Sequence, residues 1–185
     1  MECSNGSNKN KEELVKNGET KLNRKARALA LRSLESALNI VDPKQIIKSK
    51  LLLKNSTLHV NGYSIDLKKF KNIYVIGGGK ASGSMAEAVE RVLGSRITNG
   101  LVNVPRNNKN KTDIIKLHEA SHPIPDEAGV EGTRSMVKML EKAKENDLVI
   151  CLISGGGSSL MPLPRAKFQS LTRRKLQMLC SNAVL

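Results

Sequence analysis

Two short apolar runs, each leading into three consecutive glycines, constrain this chain more than any other feature. Residues 72–76 (NIYVI) run into Gly77, Gly78 and Gly79, and residues 148–153 (LVICLI) run through Ser154 into Gly155, Gly156 and Gly157. Runs this short and this apolar fit strands covered on both faces, and such strands belong to parallel sheets with helices packed on them. Apolar residues spaced by three and four over 81–93 and 127–144 supply those helices, and a last one is expected over 168–183. Weaker strands over 101–104 and 114–117 are joined by a polar loop, residues 107–111, rather than by a helix. The 148–153 run is the most apolar and is expected near the middle of the sheet. This alternation calls for an α/β domain with a mostly parallel sheet.

A local unit precedes that sheet. Residues 1–21 are polar and aperiodic, which reads as a disordered tail before a domain over 22–185. From Ala26, an apolar stripe of Leu29, Ala30, Leu34, Ala37, Leu38 and Val41 predicts an amphipathic helix ending before Pro43. Pro43 starts a second, short helix through Ile46, Ile47 and Leu51. Residues 57–66 alternate about Asn61-Gly62, a pair that accepts positive φ at both turn positions and so closes a β-hairpin.

At 185 residues, 39% hydrophobic and 26% charged, the chain can bury a core without disulfides, which excludes fibrous and wholly disordered classes. Cys3, Cys151 and Cys180 have no disulfide or zinc-ligand spacing. No run approaches the roughly 18 apolar residues of a membrane span, and the amino terminus lacks a secretory apolar stretch, so a cytoplasmic protein without a membrane partner is expected. The formal charge of +14 calls for an anionic partner, either a nucleic acid or a small phosphate-bearing ligand. With Tyr63, Tyr74, Phe70 and Phe168 as the only aromatics, stacking platforms are scarce and a nucleic acid is disfavoured. Basic clusters at 106–111 and 165–175 form no continuous stripe, and a solvated lysine-rich surface accounts for most of the charge.

Three motifs carry the chemistry. The first, Gly77-Gly78-Gly79-Lys80-Ala81-Ser82-Gly83, opens a helix and suits an anion. It is neither a P-loop, since Ala81 follows Lys80, nor a dinucleotide fingerprint, since Ser82 stands where the third glycine belongs. Close helix-to-strand packing is the alternative role of its glycines, and it leaves Lys80 without one. The second, Ser154-Gly155-Gly156-Gly157-Ser158-Ser159, offers N–H and O–H donors of the kind that accept phosphate oxygens, or is a flexible turn. The third is His122-Pro123-Ile124-Pro125-Asp126, where Asp126 is placed to cap the following helix and His122 either contacts a ligand or braces the loop. Glu119 is open in the same way. In an open parallel sheet all three motifs lie beyond the carboxyl ends of the strands, where ligands bind. Adjacent anion sites suit phosphoryl transfer, with Lys80 stabilising charge on the transferred group and Mg²⁺ bridging nucleotide oxygens.

These residues, in this order, resemble the glycerate 2-kinases of the MOFRL group, through VIGGGKAS at 75–82, SHPIPDEAG at 121–129 and LISGGGSSLMPLP at 152–164. The resemblance implies a Rossmann-like three-layer α/β/α domain, preceded here by amphipathic helices and a hairpin. It also implies transfer of a phosphoryl group from ATP to the 2-hydroxyl of D-glycerate with Mg²⁺. By that likeness Lys80 is catalytic, and Ser154, Gly155, Gly156, Gly157, Ser158 and Ser159 form the nucleotide loop. Gly77, Gly78, Gly79, His122 and Asp126 then face the substrate. Ser159 departs from the alanine common there. Members of the family are much longer, so residues 22–185 are expected to be the amino-terminal portion, without the carboxyl-terminal MOFRL domain and inactive without that segment or a second polypeptide. No acid follows Asp147, so the magnesium ligands are unassigned. A non-catalytic basic nucleotide- or nucleic-acid-binding module is the alternative, followed by a hydroxypyruvate reductase, which the missing dinucleotide fingerprint opposes.

Overall fold

The computed structural model describes residues 10–164, in two compact units divided between Ile46 and Ile47. In the first unit, α1 (Lys11–Lys16) stands within the stretch read as a disordered tail, and α2 (Lys21–Ile40) follows it. The helical propensities of Lys11, Glu12, Glu13 and Leu14 favour α1, and tertiary ties secure it. The Lys11 ammonium pairs with the Glu35 carboxylate, and Arg27 Nη1 donates to the Leu14 carbonyl at 3.1 Å. α2 starts at Lys21, ahead of the stripe, because the Thr20 hydroxyl caps it by accepting the Asn23 N–H at 3.1 Å.

After α3 (Pro43–Lys50) come three antiparallel strands in sequence order, β1 (Leu51–Lys54), β2 (Thr57–Val60) and β3 (Tyr63–Asp66). The β2–β3 turn is the one expected, with Asn61 at φ 46° and Gly62 at φ 91°. β1 corrects the helix drawn through Leu51. A run as short as Leu51–Leu53 is ambiguous alone, and its pairing with β2, Leu51 opposite Val60 and Leu53 opposite Leu58, decides the matter.

The second sheet is parallel and four-stranded, in the order β6-β5-β4-β7, from β4 (Ile73–Gly78), β5 (Asn99–Pro105), β6 (Ile115–Ala120) and β7 (Leu148–Ile153). Helix α4 (Ser82–Leu93) links β4 to β5 and α5 (Glu127–Leu140) links β6 to β7, while β5 and β6 are joined without a helix, as expected. Side chains alternate across β5. Val102 and Val104 enter the core with Val75, Ala86, Val89 and Leu93, whereas Asn103 between them turns to Gly129 and Thr133 of α5. The two helices therefore cover opposite faces, which makes the α/β/α layering.

β7 is the strand expected near the middle of the sheet. Among the described residues it is an edge strand beside β4, and only Leu152 of it is buried, Val149, Cys151 and Ile153 being exposed. Burial of the Cys151 thiol, though partial, raises its pKa. α5 stops at Leu140 because residues 141–147 close as tighter turns. Asp147 then accepts N–H bonds from Lys144 and Asn72, tying the start of β7 to β4. The helix expected over 168–183 lies outside the described residues. All four parallel strands end on one edge, at Gly78, Pro105, Ala120 and Ile153, and the three motifs follow from there.

Candidate functional site

Gly77 and Gly78 are the last residues of β4 rather than loop residues, and with Gly79 they are buried. A Cβ at Gly77 would overlap the Leu152 carbonyl oxygen, one at Gly78 the Met161 side chain, and one at Gly79, where φ is +145°, the side chain of Ser154. Their small size thus lets β4 approach β7 and the loop after it, which is close packing and leaves no open space beside them. The amides that follow are spent on the second loop. Lys80 donates its N–H to the Gly155 carbonyl at 2.8 Å, and Ala81 donates to Ser154 Oγ at 3.0 Å. Ser82 opens α4 with its hydroxyl 2.7 Å from both the Gly79 and the Asn103 carbonyl oxygens.

The second loop is open where the first is closed. Gly156 takes the left-handed conformation, φ 85° and ψ 4°, as the cap of the single turn α6 (Gly157–Leu160). Gly157 donates to the Ser154 carbonyl, and Ser159 and Leu160 to that of Gly156. The Ser159 hydroxyl also donates to Gly156, at 2.9 Å, so this buried group supports the loop from within. The amides of Gly155 and Gly156 donate to no acceptor among the described residues. A Cβ built on Gly156 would lie 2.7 Å from the His122 ring and 3.3 Å from Lys80 Cγ, and one on Gly155 would have Lys80 Cε as its neighbour at 3.9 Å. Lys80, His122 and Gly156, one from each motif, therefore meet at one point, with the Lys80 side chain exposed and His122 half-buried.

Asp126 holds the third motif in shape. Its Oδ1 accepts the N–H groups of Gly129 at 3.0 Å and Ser121 at 3.2 Å, and its Oδ2 pairs with Arg106 at 2.9 Å. Burial raises the pKa of this carboxyl, but the Gly129 and Ser121 donors and the Arg106 guanidinium outweigh it and hold the group below its ordinary value. It caps α5, as expected, and supports the loop that carries His122. Glu119 accepts the Asn108 N–H at 3.2 Å. Among the described residues no group of three or more His, Cys, Asp or Glu could hold a metal ion, and the two acids of this edge, Glu119 and Asp126, are engaged by protein donors. Nor is any of their helices long and apolar enough to cross a membrane. An open cleft of about 670 Å³ lies elsewhere, along residues 108–119, and neither Lys80 nor the second loop lines it.

Two residues of this edge were not singled out from the sequence. Arg106 reads there as one cation of a cluster. Asn103 had a signal that went unused, a lone amide within the apolar strand LVNV, and polar groups in such places need partners.

A family model described as a domain of unknown function, DUF4147, matches residues 29–182. A glycerate 2-kinase of Pyrococcus horikoshii is 35% identical over 138 residues, covering 75% of this chain and 30% of that protein. A putative hydroxypyruvate reductase of Agrobacterium vitis is 41% identical over 92 residues, covering 50% of this chain and 24% of that protein. The crystal structure of a glycerate kinase from Thermotoga maritima superposes with a TM-score of 0.68 at 27% identity, covering 84% of this chain and 34% of that one. The chain thus spans about a third or less of the length of the proteins it matches.

Proposed function

The chain belongs to the DUF4147 family, and from that premise we propose that it supplies one side of the cleft of a glycerate kinase. In this reading the γ-phosphoryl group of ATP passes to the 2-hydroxyl of D-glycerate, giving ADP and 2-phosphoglycerate, and the hydroxyl proton is released. The observation that carries it is the convergence of Lys80 and His122 on Gly156, beside the amides of Gly155 and Gly156, which donate to no acceptor among the described residues. Phosphoryl transfer is served mainly by positioning and by charge placed around the transferred group. Lys80 is the catalytic cation, set on a backbone that is pinned at Gly155. The Ser154, Gly155, Gly156, Gly157, Ser158 and Ser159 loop faces the nucleotide, with Gly155 and Gly156 as its open donors. His122 is the candidate donor to glycerate, and Asp126 together with Gly77, Gly78 and Gly79 keeps the surrounding backbone in place. Magnesium enters only as the counter-ion that ATP carries.

Because the chain spans 30% of its Pyrococcus relative, turnover is expected of the chain joined to the remaining segment of a related glycerate kinase, and little or none of residues 1–185 alone. The joined protein should release ADP only when ATP and D-glycerate are both present, and Lys80→Ala should lower kcat by about 10³-fold or more. Near-normal turnover in that variant would remove Lys80 from the mechanism. The name of the Agrobacterium relative supports a second reading, reduction of hydroxypyruvate. Oxidation of NADH by the joined protein with hydroxypyruvate, and no ADP release with glycerate, would favour it.

A further inference from the structure

The segments that follow three different strands converge on a single buried residue, Asn103 of β5, whose exposure is 0%, two of them at its side chain and one at its backbone carbonyl. Its Nδ2 donates to the Leu160 carbonyl at 2.6 Å and to the Gly129 carbonyl at 3.1 Å. Thr133 Oγ1 is a more distant neighbour at 3.4 Å and itself donates to the Gly129 carbonyl at 2.7 Å. The backbone carbonyl of Asn103 is 2.7 Å from the Ser82 hydroxyl. One residue thus reaches the first residue of α4, the first turn of α5 and the last residue of α6. These are the segments immediately behind Lys80, His122 and Gly156.

The surroundings are shaped to let it do so. A Cβ at Gly132 would overlap Asn103 Oδ1, and one at Gly129 would crowd Pro162 and the Leu160 carbonyl at 3.1–3.3 Å, so both glycines of α5 yield space to this junction. The cost of the arrangement is visible too, since Oδ1 is buried without a hydrogen-bond partner. An apolar side chain of similar size would fill the same volume without that cost. What it could not do is donate two hydrogen bonds to carbonyls on two different elements.

We infer that Asn103 is a positioning residue: it sets the spacing of the Ser154–Ser159 loop and of the His122 loop against β5, and so holds Lys80, His122 and Gly156 at one point. The functional weight of this inference rests on reading that edge as the nucleotide site, whereas its structural content does not. Both parts are separable by experiment. Amide hydrogen exchange on the full chain should show protection at residues 157–160 and 129–133 falling about tenfold in Asn103→Leu, with the β4–β5 ladder within about twofold of the parent. In Asn103→Asp the carboxylate faces two carbonyl oxygens and should loosen the same segments at neutral pH. Burial raises the pKa of that carboxyl, so lowering the pH protonates it and lets it donate to the Leu160 carbonyl, and protection returns. His118, with Nε2 2.8 Å from the Ala128 carbonyl, and Asp126, which accepts the Gly129 N–H at 3.0 Å, lie beside this junction, and the parent chain controls for both. If Asn103→Leu does not fold, Asn103→Ser carries the test, with one hydroxyl donor and partial protection expected. Unchanged loop protection in these variants, a loss shared equally by the strands, or no pH recovery in Asn103→Asp overturns the inference. ATP titration of the parent chain and of the joined protein is read separately. Absence of ATP binding with the loop effect intact means that the nucleotide reading fails and the positioning role stands.

Discussion

Gly77, Gly78 and Gly79 are buried at the end of β4, while Gly155, Gly156 and Gly157 stand at or near the surface after β7, although each triplet follows an apolar strand. In the first triplet the space left by the missing side chains is filled by Leu152, Met161 and Ser154. In the second, the neighbours of Gly155 and Gly156 are the long Lys80 side chain and the His122 ring, both of which can move aside, while Gly157 lies against the Gly78 carbonyl, where a Cβ would sit at 3.3 Å. Glycine after a strand therefore serves two purposes that look alike in sequence. One lets protein approach protein, and the other leaves backbone donors open beside mobile cationic and polar groups. The first triplet builds the platform on which the second is displayed, because the Lys80 and Ala81 amides are spent on Gly155 and Ser154.

Alanine substitutions, read by urea unfolding of the chain at neutral pH, put that contrast at risk. The largest loss is expected for Gly77→Ala, about 3 kcal/mol, because its Cβ meets a strand carbonyl that cannot rotate away. An unchanged midpoint there would mean that the first triplet is not packed as described. Asp126→Ala should cost about 1–2 kcal/mol through the lost cap and the unpaired Arg106. The acid side of the profile tests the same group. Its folded pKa lies below the unfolded value of about 3.9, so its stabilisation is complete above that value and is lost as pH falls through the folded pKa. Asp126→Asn, which still caps, should flatten that part of the curve. For Gly156→Ala about 1 kcal/mol is expected, from positive φ rather than from collision with backbone. The smallest effect belongs to Gly155→Ala, within about 0.5 kcal/mol, since its nearest neighbour is a lysine stem at 3.9 Å. A large loss there would erase the distinction between the two triplets.

Where local chemistry is strong, the fold was legible. Asn61-Gly62 demands positive φ and forms the expected turn; Asp126 stands before an amphipathic run and caps it; the alternation of apolar runs with helical periods yields the parallel sheet. Where the outcome depends on distant partners, it was not. Leu51–Leu53 became a strand because β2 was there to pair with it, and α1 formed with its ends tied to Glu35 and Arg27. β7 is as apolar as a central strand, and among the described residues it pairs on one side, with β4; hydropathy records what a strand can bury and not which neighbours it has.

The candidate site divides in the same way. From residue types and spacing alone came the three motifs and their common address at the carboxyl ends of parallel strands, since that address follows from topology and topology follows from periodicity. Tertiary structure decided which glycines are packing and which are open, and that Asn103 joins all three loops. Those are matters of which atoms approach within hydrogen-bond or van der Waals distance across about 20 to 80 positions of chain, and no local pattern encodes them.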